Sequence, residues 1–129
     1  DLPIATIMRS KYGEYPEYHT SLDDLNLVTS SGLEGGFKAL KKTLNVIEQN
    51  VFPKTTVLGE PRLDKRGLSP TLSTKNIKEE FLLIRHFISF CDGHKSVLEI
   101  AELLDEPFWK LWPIVEKLVD NGLLSVKTG

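Results

Sequence analysis

The stretch CDGHKSVLEIAELLDEPFWKLWPIVEKLVDNGLLSV, residues 91–126, decides how this chain is read. Ser96 and Glu99 have the spacing of a capping box, in which a hydroxyl and a carboxylate satisfy the first free amides of a helix. They start a helix over VLEIAELL, residues 97–104. DEP then breaks it: Asp105 can cap, and Pro107 fits the first turn of another helix because it has no amide hydrogen to leave unpaired. In that helix Phe108, Leu111 or Trp112, Val115, Leu118 and Val119 form the buried face, and Gly122 suits the residue just past its end. LLSV, residues 123–126, closes as a strand. Working back from Cys91, Ile77, Phe81, Ile84, Ile88 and Cys91 step by four and three, which predicts one more amphipathic helix. Helix, helix, tight turn, helix, strand is the order of a winged helix-turn-helix. Too little chain follows Val126 for the second strand of a wing, so the wing is expected to be truncated or absent.

Further upstream the pattern thins. Residues 51–75 hold three prolines and two glycines and read as a connector. Aliphatic and charged residues alternate through GEPRLDKRGL, residues 59–68, unlike a flexible Gly/Ser linker, so this connector is expected to pack on something. Leu33, Phe37, Leu40, Leu44 and Ile47 step by four, three, four and three, predicting one helix over 31–50 with Lys38, Lys41 and Lys42 off its apolar face. Gly35 and Gly36 weaken its first turns. IATIM, residues 4–8, suits a buried strand, and KYGEYPEYHTSLDDL, residues 11–25, is loop. The expected domains are therefore 1–75, a strand–loop–helix segment with its connector, and 76–129, a winged helix. The fold class is mainly α, and in isolation residues 1–75 are expected to be loosely ordered.

The chain has 129 residues, 40% hydrophobic and 26% charged, which suits one mid-sized domain or two small ones. A net charge of −2 provides no general pull toward nucleic acid. Residues 76–129 carry six Lys or Arg against nine Asp or Glu, and the third helix of the winged domain sets Lys110 and Lys117 against Glu106, Glu116 and Asp120. Phosphate contacts dominate DNA affinity, so no nucleic-acid partner is expected. Trp109 and Trp112, three residues apart, are the sharper feature. Either one is core and the other covers a domain interface, or the pair forms a protein-docking surface, where Trp is favoured. One cysteine excludes an internal disulfide framework and fits a reducing, cytoplasmic setting. No apolar run reaches the ~20 residues of a membrane span. The chain starts at Asp1 and not at a methionine, which is expected of a piece of a longer protein.

YGEYPEYHTSLDDLNLV, residues 12–28, then a helix, then GEPRLDKRGLSPT, residues 59–71, then a short acidic winged helix, together resemble the C-terminal part of a bacterial aminopeptidase-like family. Some of its members are labelled polysaccharide-biosynthesis proteins, and its α/β core is similar to the co-catalytic zinc aminopeptidases. The resemblance covers essentially the whole chain. It implies that His19, in the H-T-x-x-D segment His19, Thr20 and Asp23, is the last ligand of a two-zinc site in the parent protein. Asp23 would fix the ligand loop, and Tyr18 would hydrogen-bond an oxyanion. The remaining ligands and the general base would come from the upstream part of the same parent, so this piece alone is expected to be inactive. Arg62 and Arg66 have two readings: a clamp for a substrate carboxylate, or structural ties between the peptidase core and the winged helix. His86 and His94 read as structural or solvent-facing. The rival reading is a winged-helix module for protein contact or homo-oligomerisation on a core without catalysis.

Overall fold

A computed structural model of the chain describes residues 2–68 and 75–129, apart from the side chains of 75–77. It is mainly helical: α1 Ser30–Gln49, β1 Val51–Thr55, a single 3-10 turn Asp64–Arg66, α2 Lys75–Phe90, α3 Val97–Leu104, α4 Phe108–Asp120 and β2 Leu124–Thr128. The chain divides into two compact units, Asp1–Ile47 and Glu48–Gly129. The boundary expected at 74–76 touches the undescribed stretch, and the division lies well before it. The connector therefore belongs with the winged helix: Val51, Pro53, Pro61, Leu63 and Leu68 are buried. The connector packs, as GEPRLDKRGL was expected to, so the loose order expected of residues 1–75 as a whole does not extend to it.

In the second unit α2, α3 and α4 enclose one core of Leu83, Ile84, Phe87, Val97, Ile100, Phe108, Leu111, Val115 and Leu118. Leu111, fully buried, takes the place left open between it and Trp112. The capping box forms as read: Ser96 Oγ accepts from the Glu99 amide at 3.3 Å, and Glu99 Oε2 accepts from the Ser96 amide at 2.7 Å. Asp105 ends α3 in the left-handed region, and Pro107, extended, is the N-cap of α4. Gly122, at φ 65, follows the end of α4 as expected, and its amide donates to the Val119 carbonyl. Pro113 sits inside α4, within its second turn.

No second wing strand follows β2 among the described residues, yet β2 is not alone. β2 has an antiparallel partner, supplied from before the three helices: β1 pairs Val51 with Thr128 through Thr55 with Leu124. Pro53 is tolerated there because its backbone faces away from β2. Its carbonyl accepts from the Gly93 amide at 3.0 Å, and the Thr55 amide on the same side donates to Cys91. The ladder to β2 therefore asks for no donor at residue 53.

The first unit differs. Helix α1 forms where its periodicity placed it. IATIM, however, is not a strand, and no strand is assigned among the described residues of this unit. A lone strand without a neighbour cannot satisfy its backbone groups, so the β propensity of these residues goes unused. None of the described residues 2–47 is buried.

Candidate functional site

The candidate ligand loop is a run of tight turns. The Tyr18 amide donates to the Tyr15 carbonyl at 3.2 Å, the Thr20 amide to Glu17 at 3.1 Å, and the Asp23 amide to Thr20 at 3.2 Å. Thr20 Oγ1 donates to the Glu17 carbonyl at 2.9 Å and accepts from the Leu22 amide at 3.2 Å, bracketing His19 from one side. His19 has φ 56, in the left-handed region. That conformation costs a non-glycine residue about 1 kcal/mol, although histidine is among the residue types that tolerate it. Its ring stands edge-on to Tyr18 at 4.3 Å between centroids. Tyr18 in turn meets Tyr12 at 5.8 Å and Tyr15 at 5.5 Å. The phenol pKa of Tyr15 is raised, first by partial loss of solvent and then by the negative charge of Asp23. Asp23, Tyr15, Tyr18 and His19 thus share one neighbourhood.

The His19 imidazole is exposed, and among the described residues its nitrogens make no hydrogen bond. A neutral imidazole so placed is chemically fit to ligate a metal. Zinc takes three or four protein ligands. Among the described residues no three His, Cys, Asp or Glu side chains gather in that way. The described donors therefore do not by themselves make a zinc site. His86 and His94 are both exposed and lie in the second unit.

The two arginines of the connector are engaged within the second unit. Arg62 grips Asp64 with two bonds, Nε to Oδ1 at 3.0 Å and Nη2 to Oδ2 at 2.7 Å, and holds that carboxyl down at about 2. Arg66 Nη1 donates to the Asn121 carbonyl at 2.6 Å, at the end of α4. Arg85 of α2 pairs with Glu60 at 2.6 Å, beside a cleft of about 510 Å³ lined by Thr55, Leu63, Leu82 and His86.

On α4, Trp112 stacks on Phe108 at 6.0 Å and donates from Nε1 to Glu116 at 3.0 Å, so it is half-buried. Trp109 is 55% exposed. Lys110 is paired with Glu106 at 2.6 Å. The sequence reading did not find the Asn50 tie, and for Arg66 it offered a structural tie without naming the partner. The Asn50 side chain accepts from the Leu98 amide at 3.0 Å, and Arg66 tethers the connector to the end of α4. Each joins residues about fifty positions apart, and no local pattern announces such a pair.

Three helices around one core, closed by a two-stranded sheet, define the class of the second unit. The winged helix-turn-helix family matches residues 50–126, and the chain belongs to that family. Residues 1–50 match the family described as a domain of unknown function (DUF4910). A Clostridium acetobutylicum protein named as a polysaccharide biosynthesis protein with aminopeptidase-like domain is 32% identical over 104 residues. That match covers 78% of this chain and 24% of that protein, so the chain spans about a quarter of the length of this curated relative. No solved structure matches the chain. Among the described residues no helix is long and apolar enough to cross a membrane.

Proposed function

We infer that this chain works as part of a longer, cytoplasmic, zinc-dependent aminopeptidase-like hydrolase, to which it contributes the metal-ligand loop around His19 and an appended winged helix. The carrying observation is His19 itself. It is an exposed imidazole in a left-handed turn, with nitrogens that make no hydrogen bond among the described residues. The similarity to a protein named for an aminopeptidase-like domain supports the same reading. Thr20 and Tyr18 hold the turn, and Asp23 closes it through its amide. The other ligands come from the rest of the protein, and a metal held there would supply Lewis-acid activation of water and carbonyl.

The test is the metal content of the full-length protein after dialysis, wild type beside His19→Ala. About two zinc ions per chain are expected in the wild type, as a co-catalytic site requires, with at least one lost in the variant. Equal metal content in the two proteins, or none in either, sinks this reading.

A further inference from the structure

Among the described residues, α1 carries a continuous apolar stripe that is exposed along its length. Leu33, Phe37, Leu40, Leu44 and Ile47 fall on one face of this helix and are between 48% and 68% exposed. Lys38, paired with Glu34, lies off that face, so the helix is amphipathic with its apolar side uncovered. A helix of a globular protein keeps such a stripe because another element buries it.

Gly36 adds an independent observation. It borders the stripe inside the helix, where glycine is about 1 kcal/mol worse than alanine. A Cβ built on it would meet nothing within 4 Å. Nothing described in this chain therefore calls for a glycine at 36, whereas a neighbour approaching the helix backbone closely would.

We propose that this face of α1 is an interface to the aminopeptidase-like part of the longer protein, an inference that rests on the reading above. Two observations select that occupant over a second copy of the chain. The match leaves about three quarters of the curated relative's length outside it, and α1 lies wholly within the 1–50 match and not in the winged helix proper. The same unit also exposes Leu2, Ile4, Leu22 and Leu25 on segments other than α1. A seam between two copies of one helix would leave those uncovered, whereas one large apolar surface can cover several segments together.

Hydrogen exchange over residues 30–49 tests it, comparing the 129-residue chain with the full-length protein. In the short chain, α1 amides exchange within about tenfold of unstructured rates, as expected of a helix with no buried face. In the full-length protein they slow by at least about 100-fold. Phe37→Asp removes that slowing while Phe37→Leu keeps it, and the amides of α2 to α4 stay protected in both, which shows that the variants are folded. Equal exchange of α1 in both lengths overturns the proposal. So does protection in the short chain that grows with its concentration, which would make a second copy the occupant. The metal reading fails separately: a full-length protein with a protected α1 and no zinc keeps the interface and loses the ligand loop.

Discussion

The two units of this chain carry similar helical stripes, yet only one of them buries its stripe. In α4, Phe108, Leu111, Val115 and Leu118 step by three, four and three and are all buried. In α1, Phe37, Leu40, Leu44 and Ile47 step in the same way, and all are exposed. Periodicity alone therefore says which face of a helix is apolar, and says nothing of whether this chain supplies the surface that covers it. The winged helix contains its own partners: α3 and β2 both pack on α4. The first unit does not.

The largest expected effect comes from cutting matched residues on those two helices. Leu111→Ala removes a fully buried side chain from the core and should cost the winged helix about 2–5 kcal/mol. Phe37→Ala removes a larger side chain that is 66% exposed, and should move the same transition by no more than about 0.5 kcal/mol. Chemical denaturation of the 129-residue chain, followed by the fluorescence of Trp109 and Trp112, reads both, since both tryptophans lie in α4. A loss from Phe37→Ala as large as that from Leu111→Ala would mean that α1 has a buried partner within the chain, and the contrast would collapse.

Helix ends offer a second, smaller pairing. Ser96 starts α3 with a reciprocal capping box and is itself buried. Thr29 stands just before α1, where its Oγ1 accepts from the Gly32 amide at 3.1 Å. Ser96→Ala should lower winged-helix stability by about 1 kcal/mol, while Thr29→Ala should leave that transition where it was. Thermal melts of the two variants beside the wild type check this. An unchanged melt for Ser96→Ala would mean that the box contributes nothing beyond what water supplies.

That box was legible before the structure because its chemistry is local, and so were Gly122 and the break at Asp105 to Pro107. Of the apolar line expected for α2, Ile84 and Cys91 are buried, Phe81 and Ile88 are half-buried, and the side chain of Ile77 lies outside those described; Leu83 and Phe87, on the adjacent line, are buried as well. FLLIRHFISF has apolar residues on two adjacent lines, and only the position of α3 decides how far each is buried. β1 was missed because Pro53 argues against a strand and because its partner lies about seventy residues downstream. In the candidate loop, the family resemblance pointed to His19, whose left-handed backbone depends on the turn bonds of Glu17, Thr20 and Asp23. The docking of the connector rests on long-range bonds such as Arg66 to Asn121, which no spacing rule reveals.

The smallest effect is a pH dependence. Asp92 closes the turn between α2 and α3: Oδ1 accepts from the His94 amide at 2.8 Å, and Oδ2 accepts from Lys95 Nζ at 3.0 Å. The amide bond and then the ammonium lower its carboxyl pKa to about 2 from the usual 3.8. A carboxyl depressed in the folded state stabilises that state above its unfolded pKa and loses the contribution as pH falls through the folded one. The melting temperature of the wild type should therefore exceed that of Asp92→Asn near neutral pH, and the gap should close between about pH 4 and pH 2. Taking the difference between the two proteins matters, because Asp64 is also held at about 2 and titrates in the same window. In the first unit, Asp24 accepts from the Asn26 amide at 2.7 Å in a comparable turn and is likewise lowered. Asp24→Asn should nevertheless leave the winged-helix melt unmoved at every pH, because its turn belongs to the unit without a core. A gap for Asp92→Asn that stays constant from pH 7 to pH 2 would show that this side chain acts through its shape and not its charge. A gap for Asp24→Asn that follows pH would show that the two units melt as one.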